Sequence, residues 1–149
     1  MKKLKLTRSE VAAWAGLVRA QQLLLGNVEA ELKRHELPPL AWYDVLLELQ
    51  RQPDGRLRLS EIGKQVLLSK YNVTRLVDRL ERKGLVARVA CEDDARGAFA
   101  AITKDGQALL ERMWPVYHQS LQTHLFKHFG EKELDQMAAF MRRIIAVNG

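Results

Sequence analysis

The chain has 149 residues, 47% of them hydrophobic and 28% charged, which suits one compact domain with a real core and excludes a disordered or collagen-like chain. A net charge of +6 favours a polyanionic partner, nucleic acid or an anionic membrane surface, and charge alone does not separate the two. One cysteine, Cys91, excludes an intrachain disulfide and a multi-cysteine zinc site, and the apolar stretch 11–18 is far shorter than the roughly 20 residues of a membrane span.

The start 1–5 imitates the basic end of a signal peptide, but Arg8, Glu10 and Arg19 interrupt the apolar part, so a cytoplasmic protein without a membrane partner is expected. Thr7 and Glu10 fit a capping box, after which Val11, Trp14, Val18, Leu25, Val28 and Leu32 recur at helical steps up to Pro38-Pro39. A second helix buries Trp42, Val45, Leu46 and Leu49 and closes at Pro53-Asp54-Gly55. A third, short one carries Leu59, Ile62 and Val66. Ser69 is the expected N-cap of a fourth, with Val73, Leu76, Val77 and Leu80 inward and Gly84 as its stop.

Two extended runs, 85–91 and 97–102, flank a charged turn and predict a β-hairpin. Thr103 then caps a fifth helix bearing Leu110, Met113, Trp114, Tyr117, Leu121 and Leu125, bent at Pro115, and a sixth starts near Glu131 with Leu134, Met137, Met141 and Ile144. The expected fold is mainly α with a small β-hairpin wing, in the order α-α-α-α-ββ-α-α. Residues 38–103 form a winged helix-turn-helix DNA-binding lobe, and 1–37 with 104–149 a helical dimerisation region. The terminal helices carry more apolar surface than one small module covers, which points to a homodimer.

The fourth helix carries the function. With its apolar residues packed inward, Ser69, Lys70, Tyr71, Asn72, Thr74 and Arg75 lie near its exposed N-terminal half. Arginine grips guanine bidentately, asparagine grips adenine, and hydroxyls and aromatic rings add phosphate and methyl contacts, so the expected partner is double-stranded DNA. No paired acid–base set, activated nucleophile or Gly-rich phosphate loop is present, and neither enzymatic activity nor a cofactor is expected.

The segments 59–63, 74–88, 93–96 and 102–106 resemble the MarR family of bacterial transcription regulators, in element order along the whole chain. Arg58 and Pro38 depart from the pattern, standing where members commonly carry a Ser or Thr at a helix start. The resemblance implies a homodimer whose fourth helix enters the major groove while Arg96, oriented by Asp94, enters the minor groove. It also implies a repressor on a palindromic operator, nucleoid-associated in the cytoplasm and released by a small aromatic or phenolic anion held among Trp14, Trp42, Tyr43 and Trp114. The competing expectation is a winged-helix module that binds protein or an anionic surface without operator specificity, whose neutral recognition face Lys70, Asn72 and Arg75 contradict.

His124 and His128 stand four apart, a spacing that on one helix brings two imidazoles to one metal, but no further ligand is positioned and no metal site is expected. Cys91 is read as an incidental strand cysteine rather than a redox sensor.

Overall fold

The computed structural model describes residues 3–66, 72–90 and 98–149. Among these are six helices, α1 (Arg8–Arg34), α2 (Leu40–Gln50), α3 (Leu59–Gln65), α4 (Val73–Arg82), α5 (Lys104–His124) and α6 (Glu131–Asn148). Three strands, β1 (Arg56–Arg58), β2 (Val86–Ala90) and β3 (Ala98–Ile102), form an antiparallel sheet in the order β1-β3-β2. The chain divides into two compact units, Leu32–Tyr117 and Met1–Glu31 with His118–Gly149.

Local chemistry sets the element ends. The capping box is present at α1, where the Thr7 amide donates to Glu10 Oε1 at 2.8 Å and the Glu10 amide to Thr7 Oγ1 at 3.0 Å. These bonds hold the Glu10 carboxyl below its ordinary value, the one from the Thr7 backbone foremost. The helix ends at Arg34, ahead of the prolines expected to stop it. There Glu36 takes a φ of 58°, and the Leu37 and Glu36 amides bond back to the Leu32 and Lys33 carbonyls, a Schellman closure built without glycine.

In the unit Leu32–Tyr117 the core is Val45, Leu46, Leu49, Ile62, Val77, Leu80, Ala100 and Met113, each no more than 1% exposed. The inward face expected for α2 is buried except Trp42, which is half-buried. α4 closes on Gly84 (φ 73°), whose amide bonds the Glu81 carbonyl while Leu85 reaches back to Leu80, and both leucines are buried. That motif turns the chain from α4 into β2.

The sheet departs from the expected two-stranded wing, since Arg56, Leu57 and Arg58 pair with Ala101, Ala100 and Phe99 as a third strand. Thr103 joins both ends of the wing to the helices, its hydroxyl donating to the Gly84 carbonyl at 2.7 Å and accepting from the Gly106 amide at 3.1 Å. Gly106 lets α5 start there, because a β-carbon at that position would meet the Leu85 carbonyl oxygen at 2.3 Å. Pro115 lies inside α5, which is continuous through it.

In the other unit, Gly130 precedes α6 and its amide donates to Glu133 Oε1 at 2.9 Å. None of the α6 residues is buried, and Phe140, Ile144 and Ile145 are 57%, 45% and 65% exposed. A 3₁₀ turn, Phe126–His128, separates the last helices. α5 ends at His124, so His124 and His128 do not share a helix, and His128 Nε2 donates instead to the Thr123 carbonyl at 3.0 Å.

Candidate functional site

The structure corrects the start of the fourth helix, which begins at Val73 with Asn72 as its cap rather than after Ser69. Asn72 Oδ1 accepts from the Arg75 amide at 3.3 Å, so the side chain expected to grip a base also caps the helix. Thr74 and Arg75, one and two positions into the helix, are exposed. Ser69, Lys70, Tyr71, Asp94, Arg96 and Cys91 lie outside the described residues.

The arginines of α4 lie away from its buried face. Val77 and Leu80 are fully buried, while Arg75, Arg79 and Arg82, at steps of four and three, are exposed. Asp78, three after Arg75 and four before Arg82, lies beside these arginines, and it and Glu81 are both taken by Arg88 of β2, through Nη2 to Asp78 and through Nε to Glu81 at 3.7 Å. These ion pairs are more than a third exposed and contribute little stability. Their consequence is positional: the two carboxylates are tied to the strand, and the arginine stripe is left basic. The expected contacts at the helix N-terminus do not include Arg79 and Arg82, although their spacing from Arg75 signals them.

A second basic group, which the sequence pattern does not signal, lies on the sheet. The guanidinium carbons of Arg56 and Arg58 lie 4.8 and 5.3 Å from the Phe99 ring centroid. Arg56 Nε also bonds Asp54 Oδ2 at 2.9 Å, which holds the Asp54 carboxyl below its ordinary value. The two-residue spacing of the arginines was a signal only if β1 had been recognised as a strand.

Of the expected effector residues, Tyr43 and Trp114 come together with Tyr117. Tyr43 stacks on Trp114 with centroids 6.3 Å apart and meets Tyr117 edge-on at 5.2 Å, and Trp114 meets Tyr117 at 5.8 Å. Burial holds both phenols above their ordinary value; Tyr117 also raises Tyr43, against a smaller lowering by Arg51, and Asp44 raises Tyr117. Trp42 is the neighbour of Tyr43 on α2, whereas Trp14 belongs to α1 in the other unit, where it is 66% exposed.

Among the described residues no group of three or more His, Cys, Asp or Glu side chains is placed to hold a metal ion, and no helix is long and apolar enough to cross a membrane.

Comparison with known proteins places this arrangement in a family. Residues 35–97 match the MarR family. The structure of Sco3205, a MarR family transcriptional regulator from Streptomyces coelicolor in complex with DNA, is similar with a TM-score of 0.90 at 28% identity, over 97% of this chain and 94% of that one. Sco5413, another MarR family transcriptional regulator from Streptomyces coelicolor, is 30% identical, with a TM-score of 0.76 over 96% of this chain and 97% of its own. The transcriptional repressor MprA of Escherichia coli K12 is 27% identical over 126 residues, 85% of this chain and 70% of that protein. With six helices and a three-stranded antiparallel sheet, the chain belongs to the MarR family of DNA-binding transcriptional regulators and is not an enzyme.

Proposed function

We propose that the chain is a cytoplasmic, nucleoid-associated repressor that binds a pseudo-palindromic operator in double-stranded DNA as a homodimer. The observation that carries the reading is the exposed basic stripe of α4: Thr74 and Arg75 stand exposed beside its N-terminus, Arg79 and Arg82 continue the stripe, and Asp78 and Glu81 are held by Arg88. The DNA complex of Sco3205 and the repressor name of MprA support it. In this reading residues 38–103 bind DNA, while 1–37 and 104–149 join two copies, for which the exposed Trp14, Phe140 and Ile145 supply apolar surface.

Two recognition helices on one face of the duplex require half-site centres roughly 10 bp apart. Arg96 at the wing is assigned to the minor groove with Asp94 orienting it, and Ser69, Lys70 and Tyr71 join the major-groove contacts. Sequencing the genomic fragments that the protein retains should yield one palindrome, and Arg75→Ala should cost about 1–3 kcal/mol on it and relax preference within the half-site. Equal affinity of that variant for the recovered palindrome and for scrambled duplex of the same length, with wild type behaving likewise, overturns operator specificity and leaves the anionic-surface reading.

Release by a small aromatic anion is the finer part of the proposal. Tyr43, Trp114 and Tyr117 offer rings to such a ligand with Trp114 45% exposed, and the basic chain favours its charge. A ligand displaces DNA only by its differential affinity for the two states, typically ~1–3 kcal/mol of coupling, and operator must weaken the ligand by the same factor. Calorimetry with salicylate as the probe, with and without operator, tests this; equal affinity in both overturns it.

A further inference from the structure

The first turn of α5 is tied to the end of α4. An ordinary side-chain cap only accepts, taking a bond from an amide of the first helical turn. Thr103 does this for the Gly106 amide at 3.1 Å, and its hydroxyl also donates to the Gly84 carbonyl at 2.7 Å, so one oxygen serves both helices. The backbone adds a parallel bond, from the Thr103 amide to the Leu85 carbonyl at 3.1 Å. Gly84 is itself held to α4, its amide donating to the Glu81 carbonyl at 2.9 Å, while the Leu85 amide reaches the Leu80 carbonyl at 2.9 Å. The join has no slack: a β-carbon on Gly106 would overlap the Leu85 carbonyl oxygen and lie 2.8 Å from Ile102 Cγ1.

Burial of Val77 and Leu80 holds α4 on the core, but apolar contact is non-directional and lets a helix rock about its buried stripe. Hydrogen bonds at its end are directional and restrain that rocking. α4 has ten residues, about 15 Å of helix, so a tilt of ~10° about one end displaces the other by about 2.6 Å. That shift is close to the whole length of a hydrogen bond to a base edge. Attraction to phosphate falls off slowly with distance and tolerates it.

We propose that Thr103 is a positioning residue for DNA recognition: its hydroxyl, shared between the turn that ends α4 and the first turn of α5, fixes the tilt of α4 in the groove. The proposal rests on the reading that α4 enters the major groove. It assigns specificity to the hydroxyl as donor, beyond the capping that its oxygen performs as acceptor.

The test is affinity for operator and for scrambled duplex of equal length, alongside thermal midpoints, for wild type, Thr103→Ser, Thr103→Asp and Thr103→Val. Thr103→Ser keeps both bonds and should keep the wild-type ratio of the two affinities. Thr103→Asp still caps α5 but, ionised, cannot donate to the Gly84 carbonyl. Its ratio should fall roughly 5- to 100-fold, about the discrimination that one base contact carries, with the midpoint little changed. The added negative charge weakens both duplexes alike, so the ratio isolates the tilt. Thr103→Val loses both bonds and should lower the ratio to the same extent, with a lower midpoint as well.

A Thr103→Asp variant with the wild-type ratio overturns the proposal and leaves Thr103 a helix cap. So does a Thr103→Ser variant whose ratio falls as far as that of Thr103→Val, because the methyl group rather than the hydroxyl would then matter. Affinity lost on both duplexes in step with a fallen midpoint, at an unchanged ratio, likewise makes the residue purely structural. A wild type without operator preference overturns the reading of α4 itself and takes the proposal with it, whereas failure in the variants alone leaves that reading standing.

Discussion

Helices α2 and α6 both carry apolar residues at helical spacing and meet different fates. Seven of the eleven residues of α2 are buried, among them Val45, Leu46 and Leu49, whereas no residue of α6 is, although Phe140, Met141, Ile144 and Ile145 stand at helical spacing along it. Leu32–Tyr117 folds its apolar surface onto itself, while the unit containing α6 leaves large side chains in water. Periodicity reports that a face needs cover, and only the fold reports whether the chain supplies it.

The sharpest way to break this contrast is to damage each region and ask whether protein concentration matters. Leu46→Ala removes a fully buried side chain from the self-contained core and should cost about 2–5 kcal/mol of stability. Denaturant midpoints should fall by the same amount at any protein concentration, with the slope m unchanged. A midpoint loss for Leu46→Ala that grows on dilution would mean that this core also depends on a second copy.

Phe140→Asp with Ile144→Asp probes the other region. In the homodimer reading this pair charges the intersubunit face, so light scattering should change from dimer to monomer mass, and operator affinity should drop because two half-sites are no longer read together. The far-ultraviolet dichroism of the winged-helix unit should survive. A variant that stays dimeric would move the interface away from α6.

The same contrast explains what was legible in the sequence. Burial within one element and its caps could be read: Thr7 with Glu10, Gly84 after α4, and Thr103 before α5 behave as their chemistry dictates. Features that depend on distant pairing could not. β1 has three residues, too few to show alternation, and exists because β3 supplies its partners 41 to 45 positions away. Ser69 and Asn72 are both good caps, and nothing local decides between them; the bond from the Arg75 amide does. Thr74 and Arg75 are exposed, and Asn72 caps the helix.

A smaller effect is expected where α4 meets the wing. Arg88→Ala frees Asp78 and Glu81, whose side chains are 40% and 41% exposed, so stability should fall by less than about 1 kcal/mol. In the DNA-binding reading, affinity should fall further than that, because two uncompensated carboxylates then border the arginine stripe of α4. Equal losses in stability and affinity would reduce Arg88 to a packing residue.

The smallest effect is confined to alkaline solution and to the aromatic cluster. Tyr43 and Tyr117 titrate above the ordinary tyrosine value of 10.0 in the folded chain, chiefly because burial disfavours the phenolate. Unfolding returns both to the ordinary value, so above it the unfolded state binds fewer protons than the folded one and stability falls as pH rises. The contribution of the neutral phenols is fully present below pH 10.0 and disappears as pH climbs through their folded values. At neutral pH, Tyr43→Phe with Tyr117→Phe should therefore leave this linkage untouched, changing stability only through whatever bonds the hydroxyls make. Between about pH 9 and 11 the double variant should lose stability less steeply than wild type, and their difference cancels the background from lysines titrating in the same range. Parallel profiles would mean that the phenols sit in equally aqueous surroundings in both states, and the cluster would then be too wet to hold an aromatic ligand by desolvation.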